Sequence, residues 1–171
     1  PDDAPTITTS HRTLWWTWTA PGDGELDLST AGSSFDTVLA VYTGDSLLGL
    51  TPAIKSYPNN HAGNETRLNV AAGTTYQVAV DGAGGDGTLL LSLVFWPRPV
   101  NDDFAQRTTL TASHQTVAAS SRGATKEASE PLHGGATGGR SVWWSWTAPS
   151  AGTLAMNTFG SSFSPYIALY V

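Results

Sequence analysis

The sequence predicts an all-β protein made of jelly-roll-like antiparallel β-sandwich repeats, on the basis of its composition, its alternating apolar residues and an internal repeat. Charged residues make up 13% of the 171 residues, while the chain holds 23 Thr, 17 Ser and 18 Gly. Thr is enriched in strands, and Ser and Gly are enriched in turns. No segment shows a sustained helical period. Short alternating segments separated by turn residues are typical of a β-sandwich.

The composition also excludes several classes of protein. The net charge is −6, whereas nucleic-acid binding needs a basic face, so we expect no nucleic-acid partner. No apolar run approaches the roughly 18 residues of a membrane span, so we expect no membrane insertion. The chain has no Cys, which excludes a disulfide scaffold, a thiolate metal site and a Cys nucleophile.

An internal repeat with an offset of 128 residues organises the chain. Residues 12–43 return as residues 140–171 without a gap, with 16 identities in 32 positions, and six of the seven Trp lie in the two copies. One repeat unit is therefore about 128 residues, and the chain is cut out of phase with it. We expect a sandwich module at 1–96 that lacks its first strands, a linker at 97–100, and the first part of the next module at 101–171.

Two interpretations of the out-of-phase ends stay open. The chain is either a piece of a longer tandem array, or a protomer whose open modules are completed by neighbouring chains to give a filament. An open sheet edge exposes unpaired backbone groups, which favour strand addition from another chain.

Alternating residues place the strands of the first module in order. Leu14, Trp16 and Trp18 share one face of a strand at 13–19, and Leu26 and Leu28 face inward on the next strand. A third strand is expected at 35–43, a hairpin around Ala72-Gly73-Thr74, and a strand at 88–96. Pro97 and Pro99 then end the module, because neither can donate to a sheet.

The second module is expected to start with one helical turn at 101–106. Further strands are expected near 108–112, 115–119, 141–148, 152–158 and 165–171.

The tryptophans divide into two groups by strand parity. Trp16, Trp18, Trp144 and Trp146 lie on the apolar face and are predicted core residues. Trp15 and Trp143 point to the opposite, hydroxyl-rich face. There an exposed ring could stack on a sugar, or the 101–130 segment or the next module could cover it. We favour the covered arrangement, because the Trp recurs in each module and suits an inter-module contact.

No catalytic constellation is recognisable. His11, His61, His114 and His133 sit in polar surroundings and are predicted to lie in surface loops. The sequence has no Gly-x-Ser-x-Gly elbow, no His-Glu-x-x-His and no convincing pair of facing carboxylates. We therefore predict that the protein is not an enzyme.

Calcium is the one cofactor that the residues suggest. It takes six to eight oxygen ligands, and the candidate ligands are Asn101, Asp102, Asp103, Glu127 and Glu130. The alternative is that Asp102 or Asp103 caps the short turn and that the Glu side chains are solvated. The Gly-rich run 81–87 hints at a calcium turn, but a single copy favours an ordinary loop.

A set of motifs, taken in module order, carries a family resemblance. The set comprises 101–105 (NDDFA), 123–127 (GATKE), 138–146 (GGRSVWWSW), 33–44 (SSFDTVLAVYTG) and 72–82 (AGTTYQVAVDG). This order resembles the repeat modules of large bacterial surface and secreted proteins, which are similar to the bacterial pre-peptidase C-terminal (PPC-like) domain. The second copy departs from it at 164–166, where Ser-Pro-Tyr replaces the Asp-Thr-Val of 36–38.

The resemblance implies a jelly-roll-like sandwich of about eight strands, non-catalytic, often tandem and sometimes stabilised by calcium. It also implies a bacterial protein that is extracellular or at the cell surface. We therefore expect a structural or adhesive repeat module whose partners are copies of itself, assembled end to end by strand complementation. The alternative is a carbohydrate-binding module that binds a surface glycan through an exposed Trp.

Overall fold

A computed structural model describes residues 12–56, 65–83, 85–135 and 139–171, with the backbone alone for residues 55 and 56. The chain divides into two compact units, Pro1–Pro97 and Arg98–Val171, called here the first and second units. The division falls at the predicted linker 97–100. His11 and His61 lie outside the described residues.

The first unit is an antiparallel β-sandwich, so the predicted all-β fold class is confirmed. One sheet has the strand order β1-β6-β3-β4 and the other has the order β5-β2-β7. No α-helix occurs among the described residues, and none of their helices could cross a membrane. The strands are β1 (Leu14–Thr19), β2 (Gly24–Ser29), β3 (Thr37–Thr43), β4 (Thr51–Ser56), β5 (Glu65–Val70), β6 (Thr75–Gly82) and β7 (Ser92–Pro97).

The core of the first unit follows the alternation of the sequence. Every second residue of β2, β3 and β6 faces the opposite sheet, because the side chains of a strand alternate between its two faces. Burying each of these aliphatic side chains stabilises the fold by about 1.5–3 kcal/mol. The fully buried ones are Leu26, Leu28, Leu39, Val41, Val78 and Val80.

The hairpin predicted around Ala72-Gly73-Thr74 is wrong, because the two strands that flank this turn belong to different sheets. β5 pairs with β2, whereas β6 pairs with β1 and β3. The turn carries the chain across the sandwich, with Gly73 at a φ of +73° and its N–H donating to Ala20 O at 2.9 Å. Alternation fixes which residues face inward, but an inter-sheet crossing and a hairpin show the same alternation.

The core assignment of Trp16 is also wrong. Trp16 pairs with Val78 and faces the same side as the core, yet it is 38% exposed. β1 is an edge strand, and within the described residues this end of its inner face is left largely uncovered. Trp18 is half-buried against the core, with its ring 6.1 Å from that of Tyr76 and 5.8 Å from that of Phe95.

The second unit has little regular structure. β8 (Thr108–Leu110) and β9 (Trp144–Trp146) form a parallel pair, which departs from the antiparallel pattern of the first unit. The predicted helical turn is present as a 3-10 helix at Phe104–Gln106. Trp144 and Trp146, predicted as core, are half-buried on β9.

The strands predicted at 115–119, 152–158 and 165–171 are not formed. By the repeat, 152–158 and 165–171 correspond to β2 and β3 of the first unit. There these strands pair with β4 to β7, and the 171 residues hold no second copy of those partners. The turn between them does form in both units: Gly32 and Gly160 share a φ of +86°. The turn is therefore locally encoded, whereas the strands require partners.

The repeat provides a matched pair for testing the core. Leu26 is 0% exposed, whereas Leu154, its equivalent in the second copy, is 44% exposed. We expect Leu26→Ala to lower the free energy of unfolding by about 2–5 kcal/mol, because it leaves a cavity in a packed core. Leu154→Ala should cost well under half as much. Urea denaturation followed by Trp fluorescence measures both, and equal losses would contradict the burial difference.

Candidate functional site

An aromatic cluster surrounds Trp143 in the second unit. The Trp143 ring lies 5.1 Å from Phe104 and 5.2 Å from His133, both edge-on, and 6.1 Å from Tyr170. Edge-to-face aromatic pairs at these distances are each worth about 0.5–1.5 kcal/mol beyond their area burial. Trp143 is half-buried as a result, and its indole nitrogen is buried with no hydrogen-bond partner within the described part of the chain.

The backbone of Trp143 is held by the start of the same unit. Trp143 N donates to Asn101 O at 2.8 Å, and the Asn101 amide nitrogen donates to Trp143 O at 3.0 Å. Thr108 N donates to the same carbonyl at 3.1 Å, immediately before the β8–β9 pairing. The segment 101–110 therefore lies along one edge of the strand that contains Trp143 and β9, called here the tryptophan strand.

Carboxylates that the sequence suggested for calcium tie this segment to the loop 125–130. The buried Asp102 accepts from Thr125 N at 2.6 Å and from Thr125 Oγ1 at 2.7 Å. Its second oxygen also forms an ion pair with Arg98 Nε at 3.0 Å. Glu127 accepts from Phe104 N at 2.8 Å. These carboxylates thus satisfy backbone donors between two loops.

Glu130 and His133 extend the cluster towards Tyr170. Glu130 Oε1 lies 2.5 Å from His133 Nε2, and His133 Nδ1 shares a hydrogen bond of 2.8 Å with the Tyr170 hydroxyl. Burial raises the pKa of Glu130, but hydrogen bonds from Ser141, His133 and the Glu127 backbone outweigh burial and hold this pKa below its ordinary value of 4.5. His133 is thus half-buried and engaged, which corrects its predicted surface position.

Four of the five candidate calcium ligands use side-chain atoms in hydrogen bonds to protein groups. Asn101 offers its amide nitrogen to Trp143, and Asp102, Glu127 and Glu130 accept from N–H groups. Asp103 makes no side-chain cap bond at the start of the 3-10 helix. No group of three or more His, Asp or Glu among the described residues is placed to hold a metal ion. The calcium site therefore stays a prediction.

The Gly-rich run 81–87 was the weaker calcium candidate, and its Gly84 lies outside the described residues. Asp81 is buried and accepts from Gly82 N at 2.8 Å and from the Thr13 hydroxyl at 3.1 Å. Asp86 forms an ion pair with Arg12. Both carboxylates therefore have partners within the first unit.

Trp15 occupies in the first unit the position that Trp143 occupies in the second. Its ring lies 6.0 Å from Tyr42 at 39°, and the equivalent pair of Trp143 and Tyr170 lies 6.1 Å apart at 44°. Trp15 is nevertheless 46% exposed. The residues that flank Trp143 from the other side, Phe104 and His133, come from the 101–135 segment.

A salt-bridge cluster on β2 and β5 was missed by sequence reasoning. Arg67 Nε lies 2.6 Å from Asp27 and 3.1 Å from Glu25, and the Trp96 indole donates to Asp27 at 3.1 Å. The hydrogen bond that Arg67 donates to Asp27 raises the pKa of Arg67. Opposite charges at paired strand positions could have revealed it, but only once the Asp27–Arg67 register was known. Ala155 and Thr153 replace the two acids in the second copy, so the cluster is not part of the repeat.

No known family model, curated protein or solved structure matches this chain. The resemblance to PPC-like modules therefore stays a prediction.

Two neighbouring aspartates provide a test of the role of Asp102. We expect Asp102→Ala to destabilise the second unit by about 3 kcal/mol, because it removes a buried carboxylate that accepts two hydrogen bonds and pairs with Arg98. Asp103→Ala is the matched control and should change stability by less than about 0.5 kcal/mol. Denaturant unfolding, followed by the fluorescence of Trp143 and the neighbouring tryptophans, measures the stability of the two variants. An equal effect would refute the role given to Asp102.

The stability of the second unit should also depend on pH, through the ionisation of Glu130. Because its folded-state pKa is depressed, the ionised carboxyl stabilises the fold above pH 4.5, and this contribution is lost as the pH falls through the lower folded-state value. We expect Glu130→Gln to flatten the decline in thermal stability between about pH 5 and pH 3. Glu65→Gln, which alters an exposed carboxylate, should leave the decline as it is.

Proposed function

We propose that this protein is a non-enzymatic structural or adhesive repeat module that assembles with its copies end to end through unfinished sheet edges. A bacterial extracellular or cell-surface setting is part of this proposal. The resemblance to PPC-like repeats and the surface rich in hydroxyls rather than charges support that setting.

The observation that carries the proposal is that equivalent residues of the two copies differ in burial. Leu26 and Leu28 are buried in the first unit, while their equivalents Leu154 and Met156 are exposed in the second. A residue that is core in one copy is thus uncovered in the other, for which the described residues include no equivalent of the pairing strands β5 and β7. Such residues favour association with a further copy that supplies those strands.

Exposed apolar side chains in both units support association. Apolar side chains that are exposed to water gain stability when association buries them. In the first unit they include Leu14, Trp16, Leu90, Leu93 and Val94. In the second unit they include Phe159, Phe163, Tyr166, Ile167 and Leu169.

A carbohydrate-binding module is the second candidate, because Trp15 is exposed beside polar side chains. Thr17 donates to Gln77 at 2.7 Å on the same face, and an aromatic plane flanked by such groups suits a sugar ring. The environment of Trp143 favours the structural role instead. At the same position of the repeat, Phe104 and His133 occupy the space that a sugar would need.

Catalysis has less support. The Glu130–His133–Tyr170 chain has the residue types of a proton relay. Both ring nitrogens of His133 are engaged by these two protein groups, so neither is directed at a substrate.

Self-association tests the proposal. We expect the chain to form concentration-dependent oligomers in sedimentation velocity and ordered assemblies in negative-stain electron microscopy. Leu154→Asp should reduce the association, because it places a charge on the uncovered face of the second unit. Leu48→Asp, which changes an exposed residue of the 3-10 helix at Leu47–Gly49, is the matched control.

A chain that stays monomeric up to millimolar concentration would overturn the proposal. Retention on immobilised polysaccharide that is lost in Trp15→Ala, with no self-association, would favour the carbohydrate-binding module.

A further inference from the structure

We propose that the outer edge of β1 receives the segment 101–110 of a second copy of this chain, in the parallel register that the same segment adopts along the tryptophan strand of its own second unit. The inference rests on the proposed function and specifies the donor segment, the receiving edge and the register.

The first step identifies which backbone groups of β1 lack a strand partner. Among the described residues, β1 is the last strand of its sheet and pairs with β6 alone. Just beyond β1, Ala20 N donates to Thr74 O at 3.0 Å and Ala20 O accepts from Gly73 N at 2.9 Å, so Ala20 directs both groups towards β6. The backbone groups of an antiparallel strand alternate in direction. The N–H and C=O groups of Trp15 and Thr17 therefore point away from β6, to the outer edge.

The second step compares this edge with the second unit. Trp143 and Ser145 are the equivalents of Trp15 and Thr17. In the second unit, Trp143 N donates to Asn101 O and Trp143 O accepts from Thr108 N. The backbone groups that face outward on β1 are thus the ones that the segment 101–110 pairs with on the equivalent strand.

The register follows from the repeat. β8 places Thr108, Thr109 and Leu110 beside Trp144, Ser145 and Trp146. Subtracting the offset of 128 sets the same three residues beside Trp16, Thr17 and Trp18 of β1.

Side-chain contacts of the second unit can be reproduced at this edge. Phe104 lies edge-on to Trp143 at 5.1 Å, and Thr109 Oγ1 lies 3.2 Å from Ser145 Oγ. Trp15 and Thr17 offer the same groups, an indole and a hydroxyl, at the equivalent positions. A bound segment would cover the Trp15 ring, which is 46% exposed.

A second copy is the proposed occupant because its segment 101–110 carries the backbone groups that pair with β9, the strand equivalent to β1. Within one chain this segment pairs with β9, so binding to β1 of another copy exchanges one equivalent strand for the other. Exchange of an identical element between chains is a low-cost route to assembly. On β1 the segment would join a sheet that already has four strands and a buried core, whereas β9 otherwise stands alone.

The test uses the full chain and a synthetic peptide with the sequence of residues 98–135. We expect one peptide to bind per chain and the amides of Trp15 and Thr17 to become protected from hydrogen exchange. The amides of Trp16 and Trp18 face β6 and should already be protected without the peptide.

Two peptide variants form a matched pair. Thr108 directs its N–H at the receiving strand, so Thr108→Pro should weaken binding at least about fivefold. Thr109 directs its N–H away from that strand, so Thr109→Pro should bind within about twofold of the parent. In the chain, Thr17→Pro removes an outward N–H that β6 does not use and should weaken binding like Thr108→Pro.

Equal binding by the two peptides, protection confined to Trp144 and Trp146, or no protection at all would overturn the inference. Failure of the proposed function has a different signature. If sedimentation shows self-association that Thr17→Pro leaves unchanged, the chains assemble through another edge and only this inference falls. If no chain self-associates, the proposed function falls whatever the peptide does.

Discussion

A β-strand has N–H and C=O groups along two edges, and the need to pair both edges governs this chain. The strand that carries the repeated tryptophans is β1 in the first unit and β9 in the second, and a different edge of it is paired in each unit. In the first unit, β1 pairs with β6, and its other edge has no strand partner among the described residues. In the second unit, β9 pairs with β8 on the equivalent of that other edge. The two copies together outline one sheet in which β8 would precede β1, β6, β3 and β4. Burial, exposure and the proposed assembly all follow from this incomplete pairing.

The acidic residues at the start of the second unit show how such a segment is held in place. Asp102 and Glu127 each accept backbone N–H groups across the gap between two loops. Hydrogen bonds to ionised groups are worth more than neutral ones, about 1.5–3 kcal/mol each. A short segment with only three residues in β8 therefore remains attached without a large core. The carboxylates that suggested calcium serve as hydrogen-bond acceptors in this arrangement.

Trp15 and Trp143 separate the two candidate functions. Both lie about 6 Å from a tyrosine at the same repeat position, so the aromatic pair itself is encoded in the repeat. The two tryptophans differ because Phe104 and His133 pack against Trp143. An exposed aromatic ring in an incomplete copy is thus weak evidence for a sugar platform, because the fuller copy shows a structural use of the same side chain.

Sequence alone determined the fold class, the repeat and the local turns, since alternation and glycine positions are local properties. The φ of +86° at both Gly32 and Gly160 is one such property. Only the tertiary structure decided which alternating segments became strands: Leu26 lies in β2, whereas Leu154 lies in no strand. It also decided that Trp16 is exposed and that the acids of the second unit bind N–H groups. The physical reason is that alternation specifies a face, while strand formation, burial and hydrogen bonding depend on partners distant in sequence.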